Sequence, residues 1–551
     1  MAIELPPRQD APVPLWTSAV IGDDRVSRES SLLAWPMKAD IVSIAALVAA
    51  VLVSAPALAV FLLALAPHGA ESELAGGLMR DGVIGTLLLM LIGGGGAIAC
   101  GAAAAWLVTL CRFPGRGVFE WLLVAPLAAP SYVLAYAYSS LTWAGGPIAF
   151  PITGFWGAAF VYSLGLYPYV YLAARAAFAS QSVCALEAAR TLGARPGALI
   201  WRVALPLARP GIVAGGALAL MEIAADYGAA QHFGVTTMST AIFRAWYGHG
   251  APHAALQISA LLLAAALFFL LIERRARGRR SYAGGSSRWR PLPRYQLRSF
   301  PALGAALFCG LLVLLGALLP LAWLARLALL RSADDIASLG QPLLNSLLLA
   351  GVGAAVTLVL AALIAVAARR GDRIGRAGVL AAGMGYAAPG AVIALGALSL
   401  FALARQAHWI GGFGGAVALA TLFWTYAARF SAAGAQSIDA GLSRLATGVD
   451  ASARTLGAGP LRRLIAIDLP IAAPSAAAAA LIVFVEILKE LPATLILRPF
   501  DFDTLAVKAY AYASDERLIQ SAAPALAIFL AGLAPILFLS RRLSRARAGA
   551  R

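Results

Sequence analysis

Apolar runs long enough to cross a hydrocarbon layer recur along nearly the whole chain, and that recurrence constrains its fold more than any single motif. A spanning helix needs about 20 predominantly apolar residues. Such runs fall near 41–66, 83–111, 119–141, 154–176, 210–230 and 252–272. A second set falls near 301–328, 344–368, 377–404, 409–431, 471–496 and 518–539, which makes twelve spans in two groups of six. Only 13% of the 551 residues are charged, against roughly 25% in a soluble domain. The deficit is spread over the runs, so the chain reads as an all-α polytopic membrane protein and not as a soluble core with one anchor.

The net charge of +17 does not point to nucleic acid, because the arginines cluster in short connections between spans. Arg112 and Arg116 follow the second run, and Arg190, Arg195, Arg202 and Arg209 follow the fourth. Arg369, Arg370, Arg373 and Arg376 follow the eighth, and Arg541 to Arg551 close the chain. The alternate connections are poor in arginine: 142–153 carries no charge, and 67–82 sets Glu71, Glu73 and Asp81 against Arg80. Arginine marks the cytoplasmic face, which places both termini in the cytoplasm. Residues 1–40 form a cytoplasmic segment that contains Arg8, Asp10, Asp23, Asp24, Arg25 and Arg28 and has no apolar core, so it does not read as a cleaved signal peptide. Residues 273–299 (ERRARGRRSYAGGSSRWRPLPRYQLRS) form a basic cytoplasmic linker, suited mainly to fixing topology and also to touching anionic lipid. The first repeat then spans 41–272, the second 300–540, and a basic tail 541–551. Cys100, Cys111, Cys184 and Cys309 have no metal-like spacing and read as small apolar residues.

The two halves resemble each other. Residues 190–196 read RTLGARP and residues 454–460 read RTLGAGP, an offset of 264. Without a gap, Leu205-Pro206 falls on Leu469-Pro470, Pro210 on Pro474, and Glu222 on Glu486. Pro130 in AAPSYVLA matches Pro389 in AAPGAVIA at an offset of 259. Six spans per half is an even number, so both copies enter the membrane from the same side. The repeats are parallel, related by a pseudo-two-fold axis along the membrane normal.

Both matched segments, 183–210 and 447–474, fall on the cytoplasmic side. In the first, Glu187 suits the start of a short helix, where a negative charge meets the helix dipole. Ala188 and Ala189 are small helix formers, Gly193 can end the helix, and Pro206 and Pro210 mark entry into the next span. A short exposed helix of this kind can lie in a groove of a peripheral protein. One copy alone leaves the ordinary capped loop as a lesser alternative; two copies at equal spacing on one face all but remove it.

The spacing E-A-A, three residues, G, nine residues, I-x-L-P resembles the EAA loop of binding-protein-dependent ABC import permeases. The first copy, with Glu187, Ala188, Ala189, Gly193, Leu205 and Pro206, departs only at Val203. The second keeps Gly457, Ile467, Leu469 and Pro470 but opens on Ala451-Ser452-Ala453, with Asp450 one residue early. The resemblance implies two parallel six-helix repeats of the type I importer permease fold in a bacterial inner membrane. It also implies that both loops dock into an ATP-binding subunit dimer and that a periplasmic solute-binding protein delivers the cargo. The motor lies elsewhere. A P-loop needs a lysine after glycine, and Lys38, Lys489 and Lys508, the only lysines, follow no glycine. No cofactor is expected on this chain; ATP and magnesium belong to the partner subunits.

Charges inside spans are functional candidates by default. Glu222 and Asp226 are expected on one helical face, with Tyr227 beside them, while Glu486, Lys489 and Glu490 occupy the eleventh span. Lys489 can pair with Glu486 three residues back. These residues either line a path between the halves or hold the halves together as a buried cluster, and the sequence favours neither. The stretch 489–506 (KELPATLILRPFDFDTLA) and ASDERL at 513–518 resemble fused ferric-iron permeases, which implies ferric iron as cargo. Thiamine, sulfate and polyamine permeases share the architecture. Asp501, Asp503, Asp515 and Glu516 fall on the external side, facing a docked binding protein or a hard cation. A secondary transporter with Glu222, Asp226 and Glu486 as relay would explain the acids but not the twin loops. A membrane-embedded enzyme finds little support: His249 and His253 stand four apart, but Pro252 lies between them and no acid is near in sequence.

Overall fold

The computed structural model describes residues 41–66, 69–142, 147, 150–181, 191–192, 199–278, 294–330, 337–369, 378–379, 382–385, 387–408, 412, 414–442 and 448–548. The first half runs α1 (Ile41–Ala64), α2 (Gly69–Leu89), α3 (Gly95–Leu110), β1 (Cys111–Arg112), α4 (Arg116–Leu122), α5 (Ser131–Thr142), α6 (Gly154–Ala179), α7 (Leu205–Ala225), α8 (Gly228–His232), α9 (Met238–Phe243) and α10 (Pro252–Gly278). The second runs β2 (Tyr295–Gln296), α11 (Phe300–Val313), α12 (Leu319–Leu329), α13 (Gly340–Arg369), α14 (Gly390–Gln406), α15 (Gly415–Leu442) and α16 (Gly448–Thr455). It ends with α17 (Pro460–Arg463), α18 (Leu469–Leu488), α19 (Pro492–Leu497), α20 (Leu505–Ser514) and α21 (Leu518–Ala548).

Among the described residues, each of the twelve apolar runs contains helix, because a backbone in hydrocarbon must satisfy its own hydrogen bonds. Among the described residues, seven helical stretches are long and apolar enough to cross a membrane alone, and eight if one bent pair counts as a span. The structure corrects four of the expected spans. The second span extends outward, since α2 begins at Gly69 and takes up most of the connection 67–82. The third is bent by 92° between Ala128 and Ser131, where Pro130 interrupts the helix. The fifth and eleventh, expected to run through 210–230 and 471–496, break at Asp226 and at Lys489–Leu491. Composition does not betray those breaks, because the flanking residues stay apolar.

The bundles of the two halves match. α6 packs on α3 and α7 in the first half, and α15 packs on α13 and α18 in the second. The π-helical turns Ile200–Ala204 and Leu464–Asp468, 264 residues apart, lead into α7 and α18 and place Pro206 and Pro470 in the first helical turn, where a missing N–H is harmless.

The first span of each half sits on the other half. α1 lies against α13, α14 and α15 as well as α10, and Trp424 donates its indole N–H to the Leu52 carbonyl at 2.7 Å. Conversely, α11 and α12 lie against α3, α4, α5 and α21, and Trp323 donates to the Ser140 hydroxyl at 3.0 Å. At the linker, α10 continues to Gly278, and Tyr295–Gln296 pairs in parallel with Cys111–Arg112. The linker's last residues are thereby pinned to the first half before the chain enters α11. His253 has an acid nearby that its sequence neighbourhood does not show: Glu71 accepts from the His253 and Ala254 backbone N–H groups at 2.9 and 3.3 Å, capping α10. It serves the backbone, as a helix cap.

Candidate functional site: a charged cavity between the halves

The two helix breaks meet at the centre of the molecule. α7 ends at Ala225, and Asp226 turns to an extended backbone (φ −71°, ψ 126°). Asp226 is therefore not on the helical face of Glu222, as its spacing suggests, but just past the helix end. There its Oδ1 accepts from the N–H groups of Ala229 and Ala230 at 2.8 and 3.4 Å and from the Tyr162 hydroxyl at 3.0 Å. Residue 490 is its repeat equivalent at the offset of 264, and Glu490 Oε1 accepts from the Ala493 N–H at 3.2 Å. Both halves thus place a carboxylate on the first N–H groups of the segment after the break, which satisfies donors that the broken helix leaves open.

The halves differ in the counter-charge. Glu490 forms an ion pair with Arg429 of α15, and both side chains are largely buried (5% and 15% exposed). Gly390 makes room for it: a Cβ there would lie 2.1 Å from Glu490 Oε1 and 2.4 Å from Arg429 Nη1. Counting back 264 residues from Arg429 gives Gly165, so the first half has no matching arginine. Lys489 pairs with Glu486 at 2.8 Å, as its spacing suggests. Its equivalent in the first half is Ala225.

Glu222, Asp226, Tyr227, Arg429, Glu486, Lys489 and Glu490 line one cavity of about 90 Å³, closed by Tyr132, Leu166 and Tyr169 among others. Four carboxylates face two cations, so with all six ionised the lining carries two surplus negative charges. The space is far smaller than the roughly 300–1,000 Å³ of a small-molecule pocket. No group of three or more His, Cys, Asp or Glu side chains converges as a metal site among the described residues. The arrangement suits passage of a charge more than its storage. The halves are tied together here by the Tyr132 hydroxyl, which donates to the Lys489 carbonyl at 3.2 Å, and by the Tyr227 and Tyr510 hydroxyls, 2.8 Å apart.

Of the twin loops, Glu187, Ala188, Ala189 and Gly193 lie outside the described residues. In the second copy α16 carries Asp450 in its first turn and buries Ala453. Gly457 turns the chain at φ 75°, and the Ala458 N–H reaches back to the Ala453 carbonyl at 3.0 Å, the closing bond of a left-handed helix cap. Leu192 and Leu456, again 264 apart, are 87% and 86% exposed. Leu205 and Leu469 open α7 and α18.

Residues 48–278 match the family described as a binding-protein-dependent transport system inner membrane component. The Fe(3+)-transport system permease protein FbpB 2 of Haemophilus influenzae is 26% identical over 476 residues, covering 84% of this chain and 90% of that protein. The molybdenum transport system permease protein ModB of Escherichia coli is 30% identical over 188 residues, 31% of this chain and 82% of ModB. The sulfate transport system permease protein CysT of Escherichia coli is 29% identical over 160 residues, 26% of this chain and 55% of CysT. The chain belongs to this permease family.

The permease is thus an integral inner-membrane protein of ABC importer type, and its alignment with FbpB 2 is long enough to run through both halves. The acids between 501 and 516 divide into two kinds. Asp503 is held by Arg498 at 2.5 Å and by Lys508 at 3.8 Å. Asp501, Asp515 and Glu516 are exposed, and so is Phe500, at 94%. Sequence reasoning missed three residues that shape the permease's cavity: Arg429, Tyr132 and Tyr162. Arg429 carried a usable signal, a charge inside an apolar run. Tyr132 stands two residues after Pro130 in a segment that repeats, while nothing marked Tyr162.

Proposed function

We propose that this permease is the membrane-spanning subunit of an importer driven by separate ATP-binding subunits, and that its cargo is a metal cation of the ferric type. The four carboxylates set against two cations in the lining of the cavity between the halves carry the cargo reading. Acid-lined constrictions favour cations and repel oxyanions. Among the relatives, FbpB 2 is named for Fe(3+), ModB for molybdenum and CysT for sulfate; a cavity of this sign suits the first. Glu222, Asp226, Tyr227, Glu486, Lys489 and Glu490 then line the path.

The loops around Gly193 and Gly457 serve as the knobs that an ATP-binding dimer grips. The exposed Leu192 and Leu456 supply matched apolar contacts, and closure of the dimer draws both loops together so that the halves rock. Hydrolysis of ATP belongs to the partner. With both termini cytoplasmic, the exposed Phe500, Asp501, Asp515 and Glu516 face outward, where a solute-binding protein docks.

Uptake by the reconstituted complex, with radiolabelled iron, molybdate and sulfate offered in turn on matched binding proteins, tests the cargo. Iron should enter, and Glu222→Gln combined with Glu486→Gln should cut its rate at least tenfold, about 1.4 kcal/mol or more. The ATP-binding subunits should still co-purify with that variant. Preferential molybdate or sulfate uptake rejects the cation reading. Solute transport by the chain alone, without ATP-binding subunits, rejects the importer reading.

A further inference from the structure

Both cations of the cavity come from the second half, and they are held differently. Arg429 is fixed: its partner Glu490 is almost fully buried and bonded to the Ala493 N–H, and the space around the pair exists only because residue 390 is glycine. Lys489 stands at the end of α18 on a flexible stem, and its ammonium makes a single 2.8 Å contact with Glu486, whose side chain is 29% exposed. Its backbone is the anchored part, through the hydroxyl of Tyr132 from the other half. Glu222 lies within electrostatic reach of Glu486, Lys489 and Arg429. In the first half the corresponding positions are Ala225 and Gly165, so Glu222 and Asp226 have no cation from the equivalent sites.

A multivalent cation entering a poorly solvated site that faces several carboxylates would bind too tightly to leave, because charge interactions there are far stronger than in water. Conduction needs attraction weak enough for release. Resting on the reading of the cargo as a cation, we propose that Lys489 is a tethered counter-cation: its ammonium neutralises Glu486 while the path is empty, gives way as cargo arrives, and returns to help expel it. Lysine suits the role because its charge is compact and its stem mobile, whereas a guanidinium locks into planar pairs. Lys489 is thus a specificity-determining residue of the transport step. It does not ligate the metal.

The test uses the purified, nucleotide-free complex, with terbium(III) as a trivalent probe whose luminescence is sensitised by the cavity tyrosines Tyr132 and Tyr227. Wild-type complex should show no saturable site at micromolar terbium beyond what Glu222→Gln/Glu486→Gln also shows. Lys489→Met should gain a site at least about tenfold tighter, and adding Glu222→Gln and Glu486→Gln should abolish it. Lys489→Arg, which keeps the charge, should gain no terbium site, while its guanidinium, locked on Glu486, should still slow iron uptake; the terbium result separates charge from a structural role. Iron uptake by Lys489→Met should fall at least fivefold in maximal rate, with the half-saturating concentration of loaded binding protein unchanged. An unaltered terbium titration in Lys489→Met, or a gained site that survives loss of both glutamates, overturns the role of Lys489. So does a Lys489→Arg complex that gains the same terbium site as Lys489→Met. These outcomes are separable from failure of the cargo reading: a complex that imports molybdate instead of iron removes the cation reading whatever the terbium shows, and a flat titration in a complex that imports iron removes Lys489 alone.

Discussion

A buried charge is tolerable only with partners, and the cavity shows two ways of providing them. Asp226 is held by two backbone N–H groups and a tyrosine hydroxyl, while Glu490 has one N–H and the guanidinium of Arg429. Removing one member of a buried ion pair strands the other, at a typical cost of about 3–5 kcal/mol. Arg429→Gln alone should therefore lower the thermal unfolding midpoint of the purified permease well below that of Arg429→Met/Glu490→Leu, in which no charge is left unpaired. Equal midpoints would mean that the pair is solvated and not buried. The Lys489–Glu486 pair could be read from spacing because both residues lie on one helix, three positions apart. Arg429 could not be matched to Glu490 in that way, since they stand 61 positions apart, at different spans.

At the scale of elements, helices were legible and their interruptions were not. Hydrophobicity reports how much of a segment avoids water, and it is blind to a backbone that turns while staying apolar. The breaks at Asp226 and Lys489–Leu491 persist because acids cap the segments that follow and because the freed backbone lines a polar cavity. The turn at Gly457 is different, since glycine in a repeated motif just after a short helix announces a left-handed cap. A side chain at φ 75° costs roughly 1–2 kcal/mol. Gly457→Val should leave the permease in the membrane but reduce the ATP-binding subunits recovered with it several-fold, as read on a purified complex; undiminished recovery would show that the turn does not shape the docking knob. Gly193→Val makes the same measurement for the first loop.

For the whole molecule, the repeat predicts two alike halves, and the structure adds that each lends its first span to the other. α1 rests on α13, α14 and α15, and α11 and α12 rest on α3, α4 and α5. Two fragments divided within 279–293 and expressed together should therefore associate and co-purify, each completing the other's bundle, while either alone should be degraded. Fragments that accumulate independently as stable monomers would contradict the exchange. The all-α membrane fold, the repeat and the acids inside apolar runs followed from the order of residues, because they depend on local hydrophobicity and spacing. The exchange of first spans, the two breaks, the Arg429–Glu490 pair and the surplus charge of the cavity depend on which side chains from distant segments share one small, poorly solvated space. Those were decided only when the helices packed, since no local pattern records a partner that arrives from the opposite half.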